Sequence, residues 1–170
     1  MKITSKNIHN NLLDIEFGNN SPKYLENNIC KRSFQLSWHD LPINTKSLVL
    51  VFEDFDAIPV CGFSWIHWVA ANINPDWNEL IENASIDLKD NIIQGKNSWS
   101  SPLISNNCDV WGFGGCAPPD KDHEYTITLY ALDINYIDLN NGFYLNDLYK
   151  KIKNHVLDKA VLNFIYKKIN

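Results

Sequence analysis

The fold of this chain can be worked out from the run Ser-Leu-Val-Leu-Val-Phe at residues 47–52. Nearly all of its residues are apolar, and its short length and valine content favour a buried strand over a helix. Residues 65–73 show the same pattern and form a second predicted strand. Residues 125–132, in which threonine alternates with apolar residues, form a third. Two shorter strands are predicted at 12–17 and 35–38.

A helical pattern is confined to the C-terminal part of the chain. Apolar residues recur there at spacings of three and four, which predicts helices across 145–164, with Asn146 or Asp147 as the N-cap of the first. The residues are Leu145, Leu148, Tyr149, Ile152, Val156, Leu157, Ala160, Val161 and Phe164. Strands first and helices last favour a mainly β or α+β domain.

A long segment at 85–122 has no clear periodicity. It contains four of the seven glycines and three of the seven prolines, which predicts an irregular connection. A connection of this length inside a compact domain is often functional.

Length and composition predict one globular domain spanning residues 1–170. The chain is 45% hydrophobic and 21% charged, and it has no apolar run long enough for a membrane helix. The first residues lack the apolar core of a signal peptide, so we expect a cytoplasmic protein without stable membrane insertion. A net charge of −5 argues against nucleic acid as the main partner.

Four cysteines, Cys30, Cys61, Cys108 and Cys116, are spread through the chain without a Cys-x-x-Cys motif. This spacing gives no support for a structural zinc site, and without a secretion signal we expect reduced thiols. Whether Cys108 and Cys116 lie close together is left open by the sequence.

Residues able to carry chemistry follow or interrupt the predicted strands. Asp54 comes directly after the first strand, and His67 lies inside the second. Because side chains alternate along a strand, His67 should share a face with Trp65 and Val69. A histidine among apolar neighbours needs a hydrogen-bond partner, and Asp54 is the partner we expect.

A second group of polar residues follows the glycine and proline cluster at 114–119. His123 and Tyr125 are separated by one residue and should share a strand face. Asp54 and Asp56 would also share a face if their strand extended to residue 56. Glycine-rich backbone can bind anions through its N–H groups without an arginine, so this region is able to contribute to an anion site.

Each of these features also has an ordinary explanation. Histidine in an apolar strand is usually a satisfied core residue, and Asp-x-Asp after a strand is usually a turn. Asp54, Asp56, His67 and His123 are also metal-ligand types, so a metal-assisted hydrolase is one alternative and a purely structural polar network is another. No His-Glu-x-x-His or Gly-x-Ser-x-Gly motif is present. We therefore expect no catalytic residues, metal or cofactor.

The combination of motifs is more specific than any one of them. In chain order it comprises Ser37-Trp38, Thr45-Lys46-Ser47, Asp54-x-Asp56-Ala57, His67-Trp68-Val69, Gln94-Gly95-x-Asn97, Gly115-x-x-Pro118-Pro119, His123-x-Tyr125 and Leu129-Tyr130-Ala131-Leu132-Asp133. From about residue 34 to 162 this pattern resembles the phosphatidylethanolamine-binding proteins, and in particular their bacterial Raf-kinase-inhibitor-like branch of the YbhB/YbcL type. The resemblance implies a mainly β fold with a central antiparallel sheet packed on a second, smaller sheet, Greek-key connections and C-terminal helices.

The resemblance also implies a pocket for phosphate, phosphorylethanolamine or a similar small anion. The positions that match the family's pocket motifs are Asp54, Ala57, Trp65, His67, Pro118, Pro119, His123 and Tyr125. It further implies a role as regulator of a partner protein, such as a kinase or protease, and is compatible with a homodimer. Phe55 replaces a proline of the usual motif, and Trp99 stands where the family more often has phenylalanine or tyrosine.

One pH dependence is expected from these residues. If Asp54 favours the protonated form of His67, anion binding should weaken as the pH rises through the histidine range.

Overall fold

The computed structural model describes residues 1–103 and 110–169. The described residues form a mainly β structure with few helices. The strands are β1 (Lys2–Thr4), β2 (Ile8–His9), β3 (Leu12–Leu13), β4 (Leu25–Glu26), β5 (Ile29–Cys30), β6 (Leu36–His39), β7 (Ser47–Asp54), β8 (Trp65–Ile73), β9 (Glu79–Leu80), β10 (Ile93–Gln94), β11 (His123–Leu132) and β12 (Val156–Tyr166). The α-helices are α1 (Ile58–Cys61), α2 (Ala84–Asp87) and α3 (Leu145–Ile152), and short 3₁₀ turns lie at Ile15–Phe17, Pro22–Tyr24, Pro75–Trp77 and Ser98–Ser100.

The central sheet has the strand order β10-β8-β7-β11-β12-β3-β2. Its long strands pair antiparallel, but β3 pairs parallel with β12 through Leu12 and Ile165, so the sheet is mixed. A smaller sheet has the order β1-β6-β9, and β4 and β5 form a separate pair. The expected mainly β fold of a large sheet and a smaller one is confirmed.

Strand β7 is buried on both faces, which explains why its sequence is continuously apolar. Leu48, Leu50 and Phe52 belong to the core shared with the smaller sheet. Val49 and Val51 belong to a second core, which Leu148 and Ile152 of α3 cover from the other side. The long strands β7, β8 and β11 contain all of the residues predicted at 47–52, 65–73 and 125–132.

The predicted helix across 156–164 is wrong, because this segment is strand β12, paired with β11 along its whole length. Ala160, Phe164 and Tyr166 are buried, whereas Val161 is 51% exposed. A spacing of four residues fits one face of a helix and one face of a strand equally well, so Ala160 and Phe164 could not distinguish them. The expectation of several C-terminal helices is thus reduced to α3.

Two smaller predictions also need correction. Helix α3 begins after Tyr144 without a side-chain cap, so neither Asn146 nor Asp147 is its N-cap. The strand predicted at 12–17 ends at Leu13 and is followed by a 3₁₀ turn.

A bulge in β8 places His67. Phe52 of β7 faces Trp68, while the next residue, Glu53, faces Ile66, so His67 has no opposite residue in the ladder. Such an extra residue shifts the alternation of side chains along the strand. His67 therefore contacts the ring of Phe52 in the first core, whereas Val69 belongs to the second. The prediction that His67 and Val69 share a face is wrong for this reason.

Among the described residues, Cys30, Cys61 and Cys116 are free thiols, and Cys108 lies outside them. No helix in the described ranges is long and apolar enough to span a membrane.

Candidate functional site

A cavity of about 300 Å³ lies where β7 and β8 meet α1 and the segment that precedes β11. Its walls are partly apolar and partly polar. The lining residues are Asp54, Ala57, Val60, Cys61, Trp65, His67, Trp99, Ala117 and Pro119. Of the eight residues predicted for the site, five therefore line the cavity.

Asp54 ends β7 and organises one wall. Its Oδ1 accepts a hydrogen bond from the backbone N–H of Ala57 at 3.1 Å, which fixes the turn into α1. This short helix brings Val60 and Cys61 to the cavity. It ends at Gly62, whose φ of +89° is readily adopted by glycine. Strand β7 does not extend to Asp56, whose Oδ2 accepts a hydrogen bond from the backbone N–H of Glu124.

His67 is held by the backbone and not by Asp54, so the predicted pairing is wrong. The residue is 2% exposed, and its Nδ1 lies 2.9 Å from the carbonyl oxygen of Gly114. A carbonyl oxygen can only accept, so Nδ1 carries the proton and donates it. The Nε2 atom is buried and has no hydrogen-bond partner.

The surroundings of His67 keep its ring neutral. Burial lowers its pKa to about 4, an effect that His123 reinforces and that the carbonyl groups of Gly114 and Gly115 only partly offset. The sequence suggested the opposite, a His67 protonated by a neighbouring Asp54. The correction follows from the contacts, because the carboxylate expected beside His67 is paired with another histidine.

That other histidine is His123, which lies between two carboxylates. Its Nδ1 is 2.7 Å from Oδ2 of Asp54, and its Nε2 is 2.7 Å from Oδ1 of Asp120. Burial lowers the pKa of His123, but the hydrogen bonds to both carboxylates outweigh burial and place the pKa above its ordinary value. Burial likewise raises the pKa of Asp54, and His123 offsets part of that increase. Both ring nitrogens of His123 are thus engaged, and the residue does not line the cavity.

The backbone N–H groups expected to hold an anion are largely used within the protein. Gly114 donates to the carbonyl of His67 at 2.8 Å, and Gly115 donates to that of Cys30 at 2.9 Å. The N–H of Ala117 donates to the hydroxyl oxygen of Tyr125 at 3.3 Å. These bonds anchor the segment before β11 against the sheet.

Two tryptophans form the remaining wall. Trp65 has a buried Nε1–H without a hydrogen-bond partner. Trp99 packs edge-on against the rings of both Trp65 and His67, with centroids 5.2 Å apart in each case. Gly114 permits this arrangement, because a Cβ there would collide with the Trp99 ring.

Several residues of the cavity were not predicted from the sequence. Val60, Cys61, Trp99 and Ala117 line it, whereas the predicted Pro118, His123 and Tyr125 do not. The signal for Trp99 was present, because an aromatic residue closes the motif that begins at Gln94. Within the described residues, no group of three or more histidine, cysteine, aspartate or glutamate side chains is arranged to hold a metal ion.

Comparison with known proteins gives a consistent family assignment. The profile described as phosphatidylethanolamine-binding protein matches residues 4–167. The protein YxkA of Bacillus subtilis is 49% identical over 135 residues, which is 78% of this chain and 80% of YxkA. YbhB of Escherichia coli K12 is 32% identical over 111 residues, 63% of each chain.

Solved structures agree with this assignment at the level of the fold. A putative phosphatidylethanolamine-binding protein homologue from Chlamydia trachomatis superposes with a TM-score of 0.78 at 28% identity, covering 99% of this chain and 97% of that one. YbcL of Escherichia coli gives a TM-score of 0.78 at 24% identity, with coverage of 99% and 98%.

Proposed function

Since this chain belongs to the phosphatidylethanolamine-binding protein family, we propose that it binds a small phosphate-bearing ligand, of the size of phosphorylethanolamine, in the cavity beside His67. One observation carries the proposal. Two ring nitrogens of cavity residues, Nε1 of Trp65 and Nε2 of His67, are buried without a hydrogen-bond partner. Buried polar atoms are rarely left unpaired in a folded protein, and a polar ligand would satisfy both.

The apolar part of the cavity wall favours a phosphate ester over a bare anion. Ala57, Val60 and Pro119 belong to this apolar wall, and Val60 is 48% exposed. Ligand sites commonly combine apolar walls with a few polar groups that fix orientation. The short carbon chain of an ester would contact this apolar wall while its phosphate reaches the ring nitrogens.

Binding without chemical turnover is the activity that we propose. Asp54 and His123 bond each other, His67 bonds the backbone, and Asp56 bonds Glu124. Each of the four side chains considered for a metal-assisted hydrolase is thus already hydrogen-bonded within the protein. We further propose that the ligand-bound state is the one that acts on a partner protein.

A thermal-shift titration tests the proposal with phosphorylethanolamine, inorganic phosphate and acetate. A ligand at a hundred times its Kd stabilises the folded state by about 2.7 kcal/mol. For a chain of this size that corresponds to a rise in Tm of roughly 5–10 °C. We expect both phosphate compounds to raise the Tm at about pH 5.5, where the ester keeps much of its P–OH group, and phosphorylethanolamine to do so at the lower concentration.

Two variants locate the effect. Trp65→Phe removes the Nε1–H and keeps an aromatic ring, so it should reduce the shift. Trp77→Phe, on the 3₁₀ turn Pro75–Trp77 and outside the cavity lining, should leave the shift unchanged. If none of the three compounds stabilises the wild type at up to about 100 mM, the proposed ligand class is wrong.

A further inference from the structure

The unpaired atoms of the cavity are not alike. The indole Nε1 of Trp65 is a donor only. Nε2 of His67 is an acceptor, because Nδ1 holds the ring proton and donates it to Gly114. The reverse tautomer would place a lone pair of Nδ1 against the carbonyl oxygen at 2.9 Å, which is repulsive. The cavity therefore offers a ligand one donor and one acceptor.

A fully ionised oxyanion matches only half of this pattern. Its oxygens can accept from Trp65, but it has no proton to donate to Nε2 of His67. The carboxylate of Asp54, with its side chain 5% exposed, also lines the cavity but supplies no donor, because one oxygen accepts from Ala57 and the other pairs with His123. The imidazolium of His123 does not compensate by contact, because both of its N–H groups are bonded to carboxylates.

We propose that the cavity selects an oxyanion that carries its own proton, such as hydrogen phosphate or a phosphate monoester in its monoanionic form, over an oxyanion without one, such as sulfate. The P–OH group would donate to Nε2 of His67, and a P–O oxygen would accept from Nε1 of Trp65. This inference rests on the proposed function and specifies the protonation state of its ligand.

Sulfate could bind only if His67 took up a proton from solvent. The titratable groups around that ring are Asp54 from β7, Cys61 from α1, and His123 and Tyr125 from β11. Burial keeps the pKa of His67 near 4, so protonating it at pH 7 reduces affinity by roughly a thousandfold. Phosphate avoids this loss, because both of its forms near neutral pH keep a hydroxyl group.

Phosphate and sulfate are a matched pair for the test, since they share size and tetrahedral shape. We would measure their affinities by isothermal titration calorimetry with the wild-type chain, at equal ionic strength and at pH 7.5 and 5. At pH 7.5, phosphate should bind at least about tenfold more tightly than sulfate. The sulfate affinity should rise by up to about tenfold per pH unit on acidification, with one proton taken up per sulfate bound.

The His67→Gln variant supplies a side-chain amide that can donate or accept at this position. It should bind phosphate and sulfate with similar affinity at pH 7.5, whereas His9→Gln, at an exposed histidine of β2, should retain the wild-type preference. Equal binding of both anions by the wild type at pH 7.5 would overturn the protonation inference and leave the phosphate site intact. Binding of neither anion would overturn the proposed function as well. Because the wild-type comparison decides the matter, poor folding of His67→Gln would not obscure it.

Discussion

Replacing His67 by asparagine should make the fold less sensitive to acid. The neutral ring is buried in the folded state, while the unfolded chain exposes a histidine with an ordinary pKa of 6.5. Acid therefore favours the unfolded chain, which accepts the proton more readily. Asparagine cannot titrate, and its amide N–H₂ can replace Nδ1 as the donor to Gly114.

The size of the effect follows from the two pKa values. Because the folded-state pKa of about 4 lies below that of the unfolded chain, the contribution of His67 to stability is complete above pH 6.5 and is lost as the pH falls toward 4. The full loss is about 3 kcal/mol, and at pH 5 it is about 2 kcal/mol. His67 is fully buried, so solvent does not reduce these values substantially.

Urea unfolding at pH 7.5 and pH 5 measures this loss directly. Chloride salts of imidazole and piperazine are suitable buffers, because phosphate, sulfate and acetate could occupy the cavity. The free energy of unfolding should fall between the two pH values by about 2 kcal/mol more in the wild type than in His67→Asn. Comparing two pH values within each protein removes the constant cost of the smaller side chain.

The exposed His9 provides the matched control. His9→Asn should lose as much stability on acidification as the wild type. An equal loss in His67→Asn and wild type would refute the argument that His67 is buried in its neutral form.

Three further predictions test the surrounding structure. Asp54→Asn should lower the free energy of unfolding by about 3 kcal/mol at pH 6, because it leaves the buried imidazolium of His123 without one of its two carboxylates. Urea unfolding should show a much smaller loss for Asp120→Asn, because the side chain of Asp120 is 51% exposed. Gly115→Ala should lower the free energy of unfolding by about 1–3 kcal/mol, since the new Cβ would lie 2.5 Å from a backbone oxygen. An unchanged Tm would contradict that close packing. Phe164→Ala should lower the free energy of unfolding by about 3–5 kcal/mol, because Phe164 is buried. Val161→Ser should lower it by less than about 1 kcal/mol, because Val161 is 51% exposed. Similar losses in the last two variants would instead favour a helical face at this segment.

The site could be predicted only in part, for a definite reason. Asp54 was identified by its position after a buried strand, His67 by its position inside an apolar strand, and Trp65 by the family resemblance, and all three line the cavity. The sequence could not assign their partners, because the carbonyl that bonds His67 lies 47 residues further along the chain. The partner of His123 is 69 residues away, and no local pattern distinguishes it from His67 as the histidine beside Asp54.

Local sequence patterns located β7, β8 and β11, because alternation and continuous apolar runs are local consequences of how a strand is buried. Those patterns left a mainly β and an α+β domain open, and the family resemblance implied the mainly β fold. The tertiary structure decided the rest. Pairing with β11 made residues 156–166 a strand, although their apolar spacing also fits a helix. The bulge at His67 depends on register with β7, and the protonation of both histidines depends on burial and on contacts between distant segments. Such properties arise only when separate strands pack together, so they are absent from any single stretch of sequence.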